Sequence, residues 1–290
     1  MANLPDELLS AILAPSFAVA HSRFADTSTS SPFATASASL PASRLLLVCK
    51  RFMRVASPYL YETVVIRSPS QAEAFKLALS RAPELARFVR KLRLEGAYGR
   101  FLVPKIMGAM SAVTHLCFTL SVDAGEKLEG LYKAFNAMNP THVYLWMSSG
   151  RKVGSPRYQA LVKSFCAAIP KWTKLEHFSF EGLAQSLSDG GGLRTHWHFS
   201  DDLGIAIALA KCPALRTVDA WPNFYIDGTE VALKHILRNT SVRVTLHSRY
   251  PADSPTYPYM AAFSSEEGER VILSNPYRSL WLSQVGTIGP

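Results

Sequence analysis

His196-Trp197-His198 is the most concentrated potential chemistry in the chain, because positions i and i+2 of an extended segment put both imidazoles on one side. Two imidazoles can begin a metal site, but zinc centres take three or four protein ligands, and the nearest carboxylates are Asp201 and Asp202. A polar and aromatic contact loop is the plainer reading. Asp189-Gly190-Gly191-Gly192 is glycine-rich but lacks the Gly-Lys-Ser/Thr tail of a phosphate-binding loop. Gly96 and Gly99 follow a strand-like run and read as a turn. No GxSxG, HExxH or H-x-E…PCxxC pattern occurs. The expectation is a protein with no catalytic residues, no metal and no cofactor, and not an enzyme; a hydrolase built in the 182–202 loop is the remaining, less favoured reading.

The densest basic cluster is Arg87, Arg90, Lys91 and Arg93. Lys91 and Arg93 flank Leu92 in a strand, so they should point away from the core. A solvated strand face is one reading. A patch for a phosphate or an acidic peptide is the sharper one. The chain has 290 residues and a net charge of +9, but that charge is spread rather than blocked, and no recognition-helix or RNA-binding signature supports a nucleic-acid partner. Cys49, Cys117, Cys166 and Cys212 stand far apart in apolar stretches, which predicts buried free thiols rather than disulfides or a zinc cluster. Asp6 and Glu7 occupy the place of a secretory n-region, and no apolar run reaches the ~18 residues of a membrane span. An intracellular protein without a membrane partner is expected.

The elements that would position such residues change character along the chain. Leu4, Leu8, Leu9, Ile12 and Leu13 predict one apolar helical face opened by Asn3 and Pro5, with Asp6 and Glu7 near its positive end and Pro15 as its stop. Across 14–43, nineteen of 30 positions are Ala, Ser or Thr, which predicts a low-complexity loop tethered weakly by Phe17, Phe24 and Phe33. Helices follow at Leu45, Leu46, Leu47 and Val48 and at Phe52, Val55, Tyr59 and Leu60. A strand over Thr63–Ile66 and a helix over roughly 69–81 come next.

From about residue 85 an apolar-x-x-apolar-x-apolar pattern recurs, centred on positions 92, 116, 143, 178, 218 and 244, with helical stretches between the copies. A short strand plus a helix per unit is a leucine-rich-repeat-like signature. It predicts an α/β fold: a short N-terminal helical module followed by an irregular α/β solenoid with a parallel sheet. The expected division is a module over 1–66, a linking helix over 67–84, repeats over 85–250 and an extension over 251–290, in which Val271-Ile272-Leu273 forms one more strand. The extra residues follow the strands, at 148–157, 182–199, 222–228 and 250–259, so these loops should share one rim. His196, Trp197 and His198, with Phe224 and Tyr225, join Lys91 and Arg93 as candidate substrate-binding residues.

Leu4-Pro5, Leu8, Ile12, Val48-Cys49-Lys50, Phe52 and Tyr59-Leu60-Tyr61 together resemble the F-box, and the whole chain looks like the large F-box families of basidiomycete fungi. The likeness covers roughly residues 3–66, interrupted by about thirty residues between the first two helices. What the resemblance implies is docking on a Skp-family adaptor, and through it on a cullin-RING ubiquitin ligase, with the repeats presenting a target protein. Carried over, the adaptor contacts would be Leu4, Pro5, Leu8, Leu9, Ile12, Leu47, Val48, Cys49 and Phe52. The other reading is a repeat scaffold that binds an acidic protein or peptide, with the helical module as its N-terminal cap.

Overall fold

The computed structural model describes residues 4–26, 32–33, 42–96, 102–120, 128–146, 156–181, 199–220, 229–247 and 265–274. The chain forms two compact units, one of residues 1–118 and 125–138 and one of 119–124 and 139–290. The predicted loops at 148–155, 182–198, 222–228 and 250–259 lie outside the described residues, and with them His196, Trp197, His198, Phe224 and Tyr225.

The first unit opens with helix α1 (Asp6–Phe17). Pro5 caps α1 without a side-chain bond. Pro15 does not stop α1, as its sequence position suggested. It sits in the last turn, where a missing N–H removes a single bond, and Phe17 beyond it packs on the module core. Helix α2 (His21–Ala25) follows within the segment expected to be a loop. A 3-10 turn over Ala42–Leu47 and helix α3 (Lys50–Leu60) complete a three-helix module. Leu9, Leu13 and Ala56 are its core, with Leu4, Phe17, Leu45, Leu46, Phe52 and Val55 packed around them. Polar clamps join α1 to α3. Asp6 accepts from Arg51 Nε at 2.7 Å and from Arg54 Nη2 at 2.6 Å, Arg51 also donates to the Leu4 carbonyl, and the Ser10 and Tyr59 hydroxyls meet. The Arg51 hydrogen bond, followed by the Arg54 charge against slight burial, holds the Asp6 carboxyl below its ordinary value.

Strand β1 (Thr63–Ile66) and helix α4 (Pro69–Arg81) fall where their patterns predict, and Ser68 caps α4 by accepting from the Gln71 N–H. Strands β2 (Lys91–Leu94) and β3 (His115–Thr119) add to β1 in parallel, in register Val64↔Leu92↔Leu116. Parallel neighbours need a crossover, which α4 supplies before β2 and α5 (Leu102–Ala109) before β3. Helix α6 (Glu129–Ala137) lays Phe135 against Phe118 of β3, ring centres 5.1 Å apart. Gly96, just after β2, has φ of 107°, a turn conformation that glycine reaches without the clash a Cβ brings.

The second unit repeats the scheme. Strands β4 (His142–Trp146), β5 (His177–Glu181), β6 (Thr217–Ala220), β7 (Arg243–His247) and β8 (Val271–Ser274) pair in parallel and in sequence order. Helices α7 (Pro156–Ala168), α8 (Phe199–Leu209) and α9 (Thr229–Leu237) alternate with them, and the short α10 (Ser265–Glu269) precedes β8. The extra strand at Val271-Ile272-Leu273 is therefore present.

The repeat pattern has a cause at the turns between helix and strand. Trp172 N–H donates to Ile169 O at 3.0 Å and Leu175 N–H to Trp172 O at 3.2 Å. Cys212 and Leu215 repeat both bonds in the next unit, and Met110 and Val113 make them before β3. Each turn thus buries one residue three places before the first apolar position of the pattern. One carbonyl then starts the following strand: Glu62 O accepts from Arg90 and Lys91, Arg90 O from Thr114 and His115, Thr141 O from Glu176 and His177, and Glu176 O from Arg216 and Thr217. That shared acceptor sets the register that keeps Leu92, Leu116, Phe178 and Val218 buried.

Two expectations about burial need correction. Cys49 is exposed and Cys166 half-buried, while Cys117 and Cys212 are buried free thiols. Cys49 precedes α3 in extended backbone, outside the packed face. Burial pushes the Cys212 thiol up to about 12. Among the described residues no helix is long and apolar enough to cross a membrane.

Candidate functional site

Two surfaces combine residue types and geometry that could serve a partner. One is the outside of the three-helix module. Adjacent residues on a helix cannot both face its core, so Leu9 is buried while Leu8 is 53% exposed. Ile12 lies one turn on from Leu8 and is also exposed, making an apolar stripe on α1. Leu47 at 83% and Val48 are the most open apolar residues at the end of the 3-10 turn, and Met53 is exposed on α3. Pro5 and Cys49 are exposed too. Of the nine candidate adaptor contacts, six are therefore on the outside. Leu9 is a core residue instead, and Leu4 and Phe52 pack half-buried against it. Met53 was missed because an isolated Met beside Phe52 carries no signal of which one turns outward.

The second surface is the sheet face opposite the apolar ladder. In the second unit the residues flanking each central position line it, half-buried rather than covered, as in the alternating pattern of β4. His142, His177 and Thr217 form one row across the strands, and Tyr144, Ser179, Asp219 and Thr245 the next. His177 is the centre of the first row. Its Nδ1 lies 2.8 Å from the Thr217 hydroxyl, and its ring centre lies 5.4 Å from that of His142 and 5.6 Å from that of Tyr144. Asp219 sits diagonally between His177 and His247, 3.8 Å from the Nε2 of each. These are ion-pair rather than hydrogen-bond distances. The indole N–H of Trp146 is buried and has no hydrogen-bond partner among the described residues.

Burial lowers the His177 pKa from its ordinary 6.5, and the neighbouring Asp219 only partly restores it, so the ring is neutral at neutral pH. Burial pushes the Asp219 carboxyl the other way, but the two imidazoles and the Thr245 hydroxyl outweigh it and leave the group below 3.8. His21 of the first unit is also lowered, by burial first and then by the Lys91 charge. The unfolded chain therefore binds more protons than the native one as pH falls below 6.5, and stability drops with pH in that window. The melting midpoint should be lower at pH 5.5 than at pH 7.5 (round values on either side of that ordinary histidine pKa), and His177→Gln should shrink the difference. An equal drop in wild type and variant would place the effect elsewhere.

The same face in the first unit takes Lys91 and Arg93 out of the expected basic patch, while Arg87 and Arg90 stay exposed. Lys91 and Arg93 do turn away from Leu92 and Leu94, but they are not solvated: they are 7% and 1% exposed. Residues 19–26 cover them. Lys91 Nζ donates to Val19 O at 2.7 Å, and Arg93 Nη1 to Phe24 O at 3.0 Å and Asp26 O at 2.7 Å. Arg93 Nε also pairs with Glu95 at 2.7 Å, and Arg67 holds the other Glu95 oxygen at 2.8 Å. A period-2 pattern reports which face a side chain takes, not what lies over that face.

Against protein-family models the chain matches none, and no curated protein matches it. Its chemistry has to be read from the two surfaces. Among the described residues, no group of three or more His, Cys, Asp or Glu is arranged to hold a metal ion. The His177-Asp219-His247 set is better suited to donating and accepting hydrogen bonds across an open sheet face. The sequence signal for it was present in the unassigned positions of the repeat pattern, which flank every central residue.

Proposed function

We propose that this chain is a target-recognition adaptor, docking through its three-helix module on a Skp-family adaptor of a cullin-RING ubiquitin ligase and presenting a target on its repeat unit. The observation that carries the reading is the exposure of Leu8, Ile12, Leu47 and Val48 on one small module. Four large apolar side chains left in water on so few residues favour a partner over a plain cap, which would bury them against the repeats. The thirty-residue interruption does not count against it, because α1 and α3 pack on a shared core with the turn over Ala42–Leu47 between them. Loop-closure entropy grows slowly with length, so a long insertion costs such a module little. The half-open face around His177, Asp219 and Trp146 suits a target segment rich in main-chain and side-chain hydrogen-bonding groups.

Co-expression with a Skp-family adaptor tests the reading. A stoichiometric complex that survives gel filtration is expected. Separate elution of two folded proteins would sink it. The alternative is a scaffold for an acidic partner; of its basic cluster, Lys91 and Arg93 are buried while Arg87 and Arg90 stay exposed.

A further inference from the structure

We propose that the face of β2 and β3 is a peptide-binding site whose resident occupant is residues 19–26 of the chain itself. The site would accept, in exchange, a target segment of the same chemistry: an aliphatic residue, then an aromatic one five positions on. Three observations lead there. First, β2 holds the segment by its main chain. Lys91 and Arg93 donate to the carbonyls of Val19, Phe24 and Asp26, contacts that any peptide could offer. Side-chain recognition comes from Val19 and Phe24, which are buried, with Phe24 set edge-on to His115 at 6.4 Å.

Second, the cover is local. Every residue of β2 and of β3 is buried, whereas alternate residues of β4, β6 and β7 on the corresponding face are half-buried or exposed. The repeat architecture therefore does not require a lid on this face. Third, the covered surface is built to survive uncovering. In a permanent internal contact, buried charges such as Lys91 and the Glu95-paired Arg93 often stabilise no more than apolar residues of similar size. With the segment lifted, Lys91, Arg93 and His115 pass into water, where charge is well tolerated. The segment also belongs to the Ala/Ser/Thr-rich stretch, whose composition contributes few other apolar anchors.

This inference does not depend on adaptor docking. The test uses the full-length chain carrying Val19→Ser and Phe24→Ser, with a fluorescent peptide spanning residues 17–28 added in trans. A tethered occupant competes at an effective concentration in the millimolar range, so wild type should bind the peptide at least about tenfold more weakly than the variant. Adding Arg93→Gln to the variant should weaken peptide binding by about tenfold, through loss of the charge-assisted contacts to the carbonyls of Phe24 and Asp26. A folded variant that binds no peptide overturns the proposal, as does equal binding of a peptide with Val19 and Phe24 replaced by Ser. If the variant does not fold, hydrogen exchange on wild type decides. Amides of 21–26 exchanging well ahead of β2 and β3 support a separable occupant, and exchange of all three at one rate rules it out.

Discussion

Replacing both Leu8 and Leu47 by Asp is expected to abolish capture of a Skp-family adaptor while leaving the chain folded. Both side chains are more than half exposed, so neither substitution buries a charge or opens a cavity, and surface changes of this kind alter stability by about 0.5 kcal/mol or less. Binding behaves differently. A central apolar anchor in a desolvated interface is worth about 2 kcal/mol or more, and a carboxylate in its place also carries a desolvation cost. Two such changes should weaken the complex by about a thousandfold, which calorimetry or a co-purification titration would register. Leu9→Asp is the informative contrast. It strikes the core shared with Leu13 and Ala56, so it should lower the melting midpoint along with binding. Retained capture by the double Asp variant would move the docking surface off this module.

Trp172→Ala should have the largest effect on stability. Trp172 is fully buried and is the largest such side chain among the described residues. It stands edge-on to Phe165 of α7, ring centres 5.7 Å apart, and Phe165 in turn meets Phe178 of β5 at 6.4 Å. Its N–H and C=O also form the turn that leads the chain from α7 into β5. Truncation leaves a cavity that three elements border, a change that costs about 3–5 kcal/mol. Domains have only about 5–15 kcal/mol in total, so a large share of the margin disappears. Urea denaturation would show the midpoint falling with little change in slope. Trp172→Phe keeps a ring in place and should lose less than half as much, and a loss under about 1 kcal/mol for Ala would mean the site collapses without cost.

The strands and helices were legible because each unit obeys one simple periodicity. Thr63–Ile66, the helix from Pro69, every centre from Leu92 to Val244 and the last strand at Val271 all sit where alternating burial places them. A core position must be apolar whatever packs on it, so its signal is local. Pro15 misled because proline's effect depends on where in a helix it falls, and the packing of Phe17 decided that. Phe24 misled further. In an Ala/Ser/Thr-rich stretch it reads as a weak tether, yet it is completely buried.

The candidate sites divide along the same line. Periodicity along the chain is enough to dictate an α/β repeat with parallel strands, a split helical module, and a polar face opposite the apolar ladder. Tertiary contacts chose which of Leu8 and Leu9 meets water. They joined His177, Asp219 and His247 across three strands separated by 42 and 28 residues. They also set the carbonyls of 19–26 over Lys91 and Arg93, some seventy positions away. Local pattern is a property of neighbours in sequence. Exposure and pairing depend on neighbours in space, which only the closed fold supplies.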